Sequence, residues 1–158
     1  MRHLPKHLQP RYRYLAVEIE TWAALRVPER ALQGAIWAAG RTLLGDAGSA
    51  DLDLRVVAAD LGAGGGAAIV RVRRGTVDRA RAVLACVESV DTVPVRVGVR
   101  GVGGTVRAVE EKYLGGPPEP TEREAVEYAD RSAVAAFRAD RVDLELDGHY
   151  VGATPEDL

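Results

Sequence analysis

The stretch AAIVRVRRG, Ala67–Gly75, decides how this chain folds. Ala68, Val70 and Val72 share one parity and Ile69, Arg71 and Arg73 the other, so a strand here has an apolar face and a largely arginine face. An unpaired guanidinium is expensive to bury, so the second face belongs where water or a partner meets it. Arg74 has the parity of the valines but stands at the strand's end, where it turns out to solvent. Gly75 and Thr76 then open a helix on which Val77, Ala80, Val83, Leu84 and Val87 form one stripe.

Working outward, RYRYLAVEIE (11–20) alternates in the same way, with Leu15, Val17 and Ile19 opposed to Tyr12, Tyr14, Glu18 and Glu20. Pro28 suits the first turn of a helix carrying Leu32, Ile36, Ala39 and Leu43, which ends at Gly45 before the polar loop DAGSAD. LDLRVVA is a second strand, aligning Leu52, Leu54 and Val56, and DLGAGGG is a flexible connection to the strand at Ala67. VPVRVGVRG (93–101) is the fourth strand, with Val95, Val97 and Val99 inward and Arg96 and Arg100 outward. The order βαββαβ predicts an α+β fold of the ferredoxin-like, RRM-like type: a four-stranded antiparallel sheet with both helices on one face. The first and third strands are then central neighbours, and the open face is an arginine field, to which Arg55 also belongs, flanked by Tyr12 and Tyr14.

Thr105 caps a short helix running to Tyr113, and Gly115 to Pro118 reads as a linker. The expected organisation is a core over 1–115 and an extension over 116–158. In the extension, Thr121 and Glu124 form a capping box ahead of a helix bearing Val126, Ala129, Ala133 and Phe137. RVDLELDGHYVGATPEDL follows as a hairpin turning at Asp147-Gly148 or as an extended tail. Charge divides at the same place. Residues 1–115 hold 17 Lys/Arg and 12 Asp/Glu, and 116–158 hold 4 and 11, so a net charge of −2 conceals a basic body and an acidic tail. The tail is read first as solubilising charge, with a cover for the basic face or a docking segment as alternatives.

Other function classes find little support. No run reaches the about 18 apolar residues of a membrane span, and MRHLPKHLQP lacks the apolar region of a signal peptide, so a cytoplasmic location is expected. Cys86 reads as a small core residue. His3 and His7 are four apart but separated by Pro5, and His149 has no ligand partner at suitable spacing, so no metal site is expected. Asp46, Asp51 and Asp53 read as a helix-ending polar loop. GAGGGA lacks the Lys-Ser/Thr of a phosphate loop. No carboxylate pair or nucleophile–base motif stands out, so no catalytic residue is assigned. Lys6 and Lys112 are the only lysines among 21 basic residues, and arginine's planar fork pairs bidentately with phosphate, although GC-rich coding favours arginine too.

The chain resembles the archaeal ribonuclease P protein component 2 family in LPKHLQPRYRYLAVEIE (4–20), LLGDAGSADLDL (43–54), AIVRVRRG (68–75) and above all VRGVGGTVRAVEEKYL (99–114). The resemblance spans roughly residues 2–114, and the acidity beyond it is that of a salt-adapted, haloarchaeal type. It implies a non-catalytic subunit of ribonuclease P, the endoribonuclease that removes the 5′ leader from precursor tRNA. The catalytic group is the RNA subunit with its Mg²⁺ ions, and this chain binds no cofactor. The implied partners are ribonuclease P RNA, precursor tRNA in the holoenzyme, and protein component 3, in a heterotetramer. Arg11, Tyr12, Arg13, Tyr14, Arg71, Arg73, Arg74, Arg96, Arg100, Arg107 and Lys112 are the expected RNA contacts, the arginines on phosphates and the tyrosines as stacking platforms. A competing reading is a solvated face whose arginines pair with Glu18, Asp53 or the tail. The alternative function is a ligand-binding regulatory module using the glycines of LGAGGGA and GVGGT.

Overall fold

The computed structural model describes residues 5–8, 11–22, 24–114, 122–138 and 141–158. In chain order the elements of the body are β1 (Tyr12–Thr21), α1 (Glu29–Leu52), β2 (Arg55–Gly62), β3 (Gly65–Arg73), α2 (Val77–Ala85), β4 (Ser89–Val90), β5 (Val93–Gly103) and α3 (Val106–Val109). A π-helical turn, Glu110–Leu114, follows α3. The strands form one antiparallel sheet in the order β2-β3-β1-β5-β4, so β1 and β3 are central neighbours as their two-faced pattern requires. The class is α+β, but the sheet has five strands rather than four. Asp91 and Thr92, both at positive φ, turn β4 into β5 and add the extra two-residue strand.

The parity reading locates the main core. Leu15, Val17 and Ile19 of β1 and Ala68, Val70 and Val72 of β3 pack with Leu32 and Ile36 of α1 and Ala80, Val83 and Leu84 of α2. α1 continues past its expected end: Gly45 adopts φ 75° and ψ 173°, the helix bends there, and DAGSAD becomes its second part. What drives this is burial of the Leu52 side chain, which a surface loop would have left in water. Leu52 therefore ends a helix instead of starting β2, and Leu43 is exposed while Leu44 packs inward. Cys86, expected in the core, is exposed because it lies one residue past α2, off the stripe of Val83 and Val87. Thr76 stands at the N-cap of α2, but its hydroxyl donates to the Arg73 carbonyl rather than capping.

The opposite sheet face is not open, and helices lie on both faces rather than one. Thr105 caps α3 by accepting from the Ala108 N–H at 3.1 Å, and the turn after it crosses the outer face. Val109 packs there on Ala16 and Ile69, with Tyr14, Val106, Tyr113 and Leu114 around them. A bulge in the β1–β5 register makes this possible: Ala16 pairs with Gly101 and Val17 with Val99, skipping Arg100. The slip brings Gly101 under the Tyr113 ring, where a β-carbon would stand only 2.2 Å from the ring. The glycine of VRGVGG is thus a packing surface for that ring.

The C-terminal segment folds as a meander of β6 (Glu122–Tyr128), β7 (Arg131–Arg138), β8 (Arg141–Leu146) and β9 (His149–Ala153), in that order. The expected helix is replaced by strands because the segment alternates: Ala133 and Ala135 pack with Val142 and Leu144, flanked by Val126 and Phe137. Its turns fall at Ala129-Asp130 and at the anticipated Asp147-Gly148, all four residues at positive φ, the geometry of tight hairpins. The expected linker, Gly115 to Pro118, and Thr121 of the capping box lie outside the described residues, and Glu124 is a strand residue.

Candidate nucleic-acid interface

The expected contact residues divide into three groups. The first gathers where β1 begins and β3 ends. Antiparallel register sets Tyr12 opposite Arg73 and Tyr14 opposite Arg71, and Arg55 of β2 stands opposite Arg71 on its other side. The Arg74 N–H donates to the Arg11 carbonyl at 2.9 Å, which holds both chain segments beside the sheet. Arg11, Arg55, Arg73 and Arg74 are exposed. Arg13 is half-buried, and its Nη1 donates to the Tyr12 carbonyl at 3.4 Å.

Arg71 is the ordered centre of this group. Its guanidinium lies 4.1 Å from the centroid of the Tyr12 ring, and Nη2 is 3.5 Å from Asp53 Oδ2. The Tyr12 hydroxyl donates to the same carboxylate oxygen at 3.2 Å. Asp53 is available because it ends α1 in the left-handed conformation, φ 47°. Tyr12 is therefore engaged with Arg71, and Tyr14 packs under the Val109 cluster, so neither ring is an open stacking platform. The chemistry on offer is an oriented fork with exposed arginines beside it, suited to phosphate oxygens.

The second group lies on the helix that crosses the outer face. Arg107 Nε donates to Glu111 at 2.9 Å, both side chains well exposed, and Lys112 Nζ stands 5.3 Å from the Tyr113 ring centroid. The third group lies on β5, with Arg96 opposite Glu20 at the far end of β1 and Arg100 at the bulge beside Ala16 and Val17, and both are engaged within the chain. Arg100 donates to Glu18 at 3.1 Å. Arg96 Nε lies 2.5 Å from Asp143 of β8, both side chains less than one-fifth exposed. The structure does not bring these two together with the first group, and it realises the pairing with Glu18, Asp53 and the tail.

Arg138 of β7, which the helical reading of the extension concealed, completes this junction. It pairs with Glu20, and its Nε donates to Asp143 at 2.6 Å. Burial works against the Glu20 charge, but hydrogen bonds with Glu18 and Arg138 outweigh it and hold that carboxyl below its ordinary value. Glu18 moves the other way, raised by burial and by its hydrogen bond to Glu20. Tyr150 packs edge-on against Trp22 at 5.1 Å, and burial pushes its hydroxyl up to about 12. Arg123 lies over the other partner of that contact, 4.8 Å from the Trp22 ring centroid.

Glu18, Glu20, Asp60, Gly64, Gly66 and Arg100 line a cleft of about 370 Å³ beside Tyr113. Of the GVGGT glycines, Gly101 and Gly103 are covered by the Tyr113 and Val109 side chains, and Gly104 is exposed. Among the described residues no group of three or more His, Cys, Asp or Glu side chains could hold a metal ion. His7 and His149 are exposed, and His3 lies outside the described residues. No described helix is long and apolar enough to cross a membrane.

Fold and site together define an α+β protein with a cationic sheet end and an acidic second sheet docked at the other. Its sequence matches the model of the Rpp14/Pop5 family over residues 13–114, and the chain belongs to that family. The match ends where the crossing helix ends. Three relatives are similar over the whole chain, and each is named ribonuclease P protein component 2. That of Natronomonas pharaonis is 52% identical over 158 residues, covering 100% of this chain and 98% of the relative. That of Haloarcula marismortui is 54% identical over 160 residues, covering 100% and 99%. That of Halorubrum lacusprofundi is 52% identical over 159 residues, covering 99% of both. The second sheet is therefore spanned by the similarity to these relatives, although it lies beyond the family match.

Proposed function

We propose that this chain is a non-catalytic protein subunit of ribonuclease P, acting in the cytoplasm in removal of the 5′ leader from precursor tRNA. The observation that carries the reading is half identity, end to end, with proteins named as component 2 of that enzyme. In this reading the RNA subunit and its Mg²⁺ perform the cleavage, and protein component 3 joins this chain in a heterotetramer. The chain supplies cations at fixed positions. Arg71, oriented by Tyr12 and Asp53, and the exposed Arg11, Arg55, Arg73 and Arg74 neutralise phosphates where RNA helices approach one another. Arg107 and Lys112 extend this surface along the crossing helix. Drawing phosphates together favours the RNA fold that holds Mg²⁺, which raises activity by positioning rather than by a chemical group from the protein.

The test is reconstitution of the RNA subunit with component 3, with and without this chain, measuring precursor tRNA cleavage at low Mg²⁺. Addition of the chain is expected to lower the Mg²⁺ needed for cleavage. Cleavage that is indifferent to the chain rejects the reading.

A further inference from the structure

We propose that Arg96 and Arg138 form an anion site that the chain fills with its own Asp143 carboxylate, so that the second sheet withholds these arginines from RNA phosphate. The inference rests on the ribonuclease P reading and concerns regulation of the same cationic face. Arg96 belongs by parity to the outer face of the body, in line with the other expected phosphate contacts. Asp143 Oδ2 stands 2.5 Å from Arg96 Nε and 2.6 Å from Arg138 Nε, so one carboxylate oxygen accepts from guanidinium groups of both sheets. A phosphate oxygen makes the same charge-assisted contacts with a guanidinium, which makes the carboxylate a stand-in of matching charge and geometry. The three side chains are less than one-fifth exposed while the Asp143 charge holds them together, and because Arg96 and Asp143 also line a cleft of about 410 Å³, loss of that charge leaves the Arg96 side chain room to turn out to RNA.

The masking is separable from the docking of the second sheet. Arg138 also pairs with Glu20, Tyr150 packs on Trp22, and Arg123 lies over the same indole. These contacts remain when Asp143 loses its charge. The acidic tail thus restricts RNA to the Arg71 end of the sheet by occupying the Arg96 end, and its net negative charge repels a phosphate backbone that strays there.

The test measures binding of the full chain to ribonuclease P RNA across a salt series. Asp143→Asn is expected to raise affinity about 3- to 10-fold at moderate salt and to steepen the log–log salt slope by about 0.7–0.9, one added phosphate. The double variant Asp143→Asn with Arg96→Gln is expected to return both to wild type. Glu127→Gln makes the same change in net charge at an exposed position of β6 and is expected to change neither. Arg96→Gln alone, in which Asp143 keeps Arg138, is expected to bind RNA as wild type does. Unchanged affinity in Asp143→Asn, a gain that Glu127→Gln reproduces, or a loss in Arg96→Gln alone overturns the proposal. Should Asp143→Asn fail to fold, Asp143→Ser, which also removes the charge, is judged by the same affinity and salt-slope criteria. Loss of binding in Arg73→Gln identifies the RNA surface independently, so a failure of masking is distinct from a failure of the ribonuclease P reading.

Discussion

The Arg71 guanidinium lies 4.1 Å from the centroid of the Tyr12 ring, and both side chains share the Asp53 carboxylate. A cation on an aromatic face gains about 0.5–2 kcal/mol, and here the carboxylate also fixes the plane of the fork. Tyr12→Ala is therefore expected to weaken RNA binding several-fold, while Tyr12→Phe, which keeps the ring and loses only the hydroxyl bond, has a smaller effect. Equilibrium binding to ribonuclease P RNA measures both. Equal affinity in all three proteins would show that the Tyr12 ring does not prepare Arg71 for RNA.

Arg73 and Arg74 are exposed and stand beside that fixed fork. If each neutralises one phosphate, Arg73→Gln and Arg74→Gln each flatten the log–log salt dependence by about 0.9 on duplex RNA elements and about 0.7 on single strands. A salt slope unchanged in the double variant assigns the contacts elsewhere.

Gly101 offers a test of the helix that closes the outer face. A β-carbon there collides with the Tyr113 ring, so Gly101→Ala is expected to destabilise the protein by about 1–3 kcal/mol in urea denaturation. Gly34, on the exposed side of α1 with nothing within 4 Å, predicts the reverse sign. Gly34→Ala is expected to stabilise by about 0.5–1 kcal/mol because alanine favours the helix.

The junction of the two sheets responds to acid and to alkali through different groups. Glu20 has a folded pKa depressed below its ordinary 4.5, so its contribution is present above that value and is lost as pH falls through the depressed one. Glu18 is raised, so its contribution has the opposite sign and is lost as pH rises through its raised value. Tyr150 is raised from 10 to about 12, so what its neutral hydroxyl contributes is lost as pH climbs between those values. With Trp37→Phe leaving Trp22 as the reporter, indole fluorescence is expected to shift in both windows. Adding Glu20→Gln removes the Glu20 part of the acid response and leaves the alkaline one.

Local pattern determined much of this protein. The alternation in 11–20 and 67–73 placed Leu15, Val17, Val70 and Val72 inward and Arg71 and Arg73 outward, because side-chain direction in a strand has a strict period of two. The stripes of α1 and α2, the cap at Thr105 and the turn at Asp147-Gly148 are equally local. Tertiary structure decided what those faces meet. No periodicity announces the bulge beside Arg100, which carries Gly101 to the outer face, or the crossing of the Val106–Leu114 segment over Ala16 and Ile69. The short alanine-rich run of β7 fits a helical stripe as well as a strand, and only pairing with Val126 and Leu144 resolves it. The fate of the arginines was decided the same way. Arg71 and Arg96 carry the same side chain on the same face, yet one lies against the Tyr12 ring beside Asp53 and the other is paired with Asp143, 47 positions along the chain. Charge acts through space, and sequence order does not record which charges fold into contact.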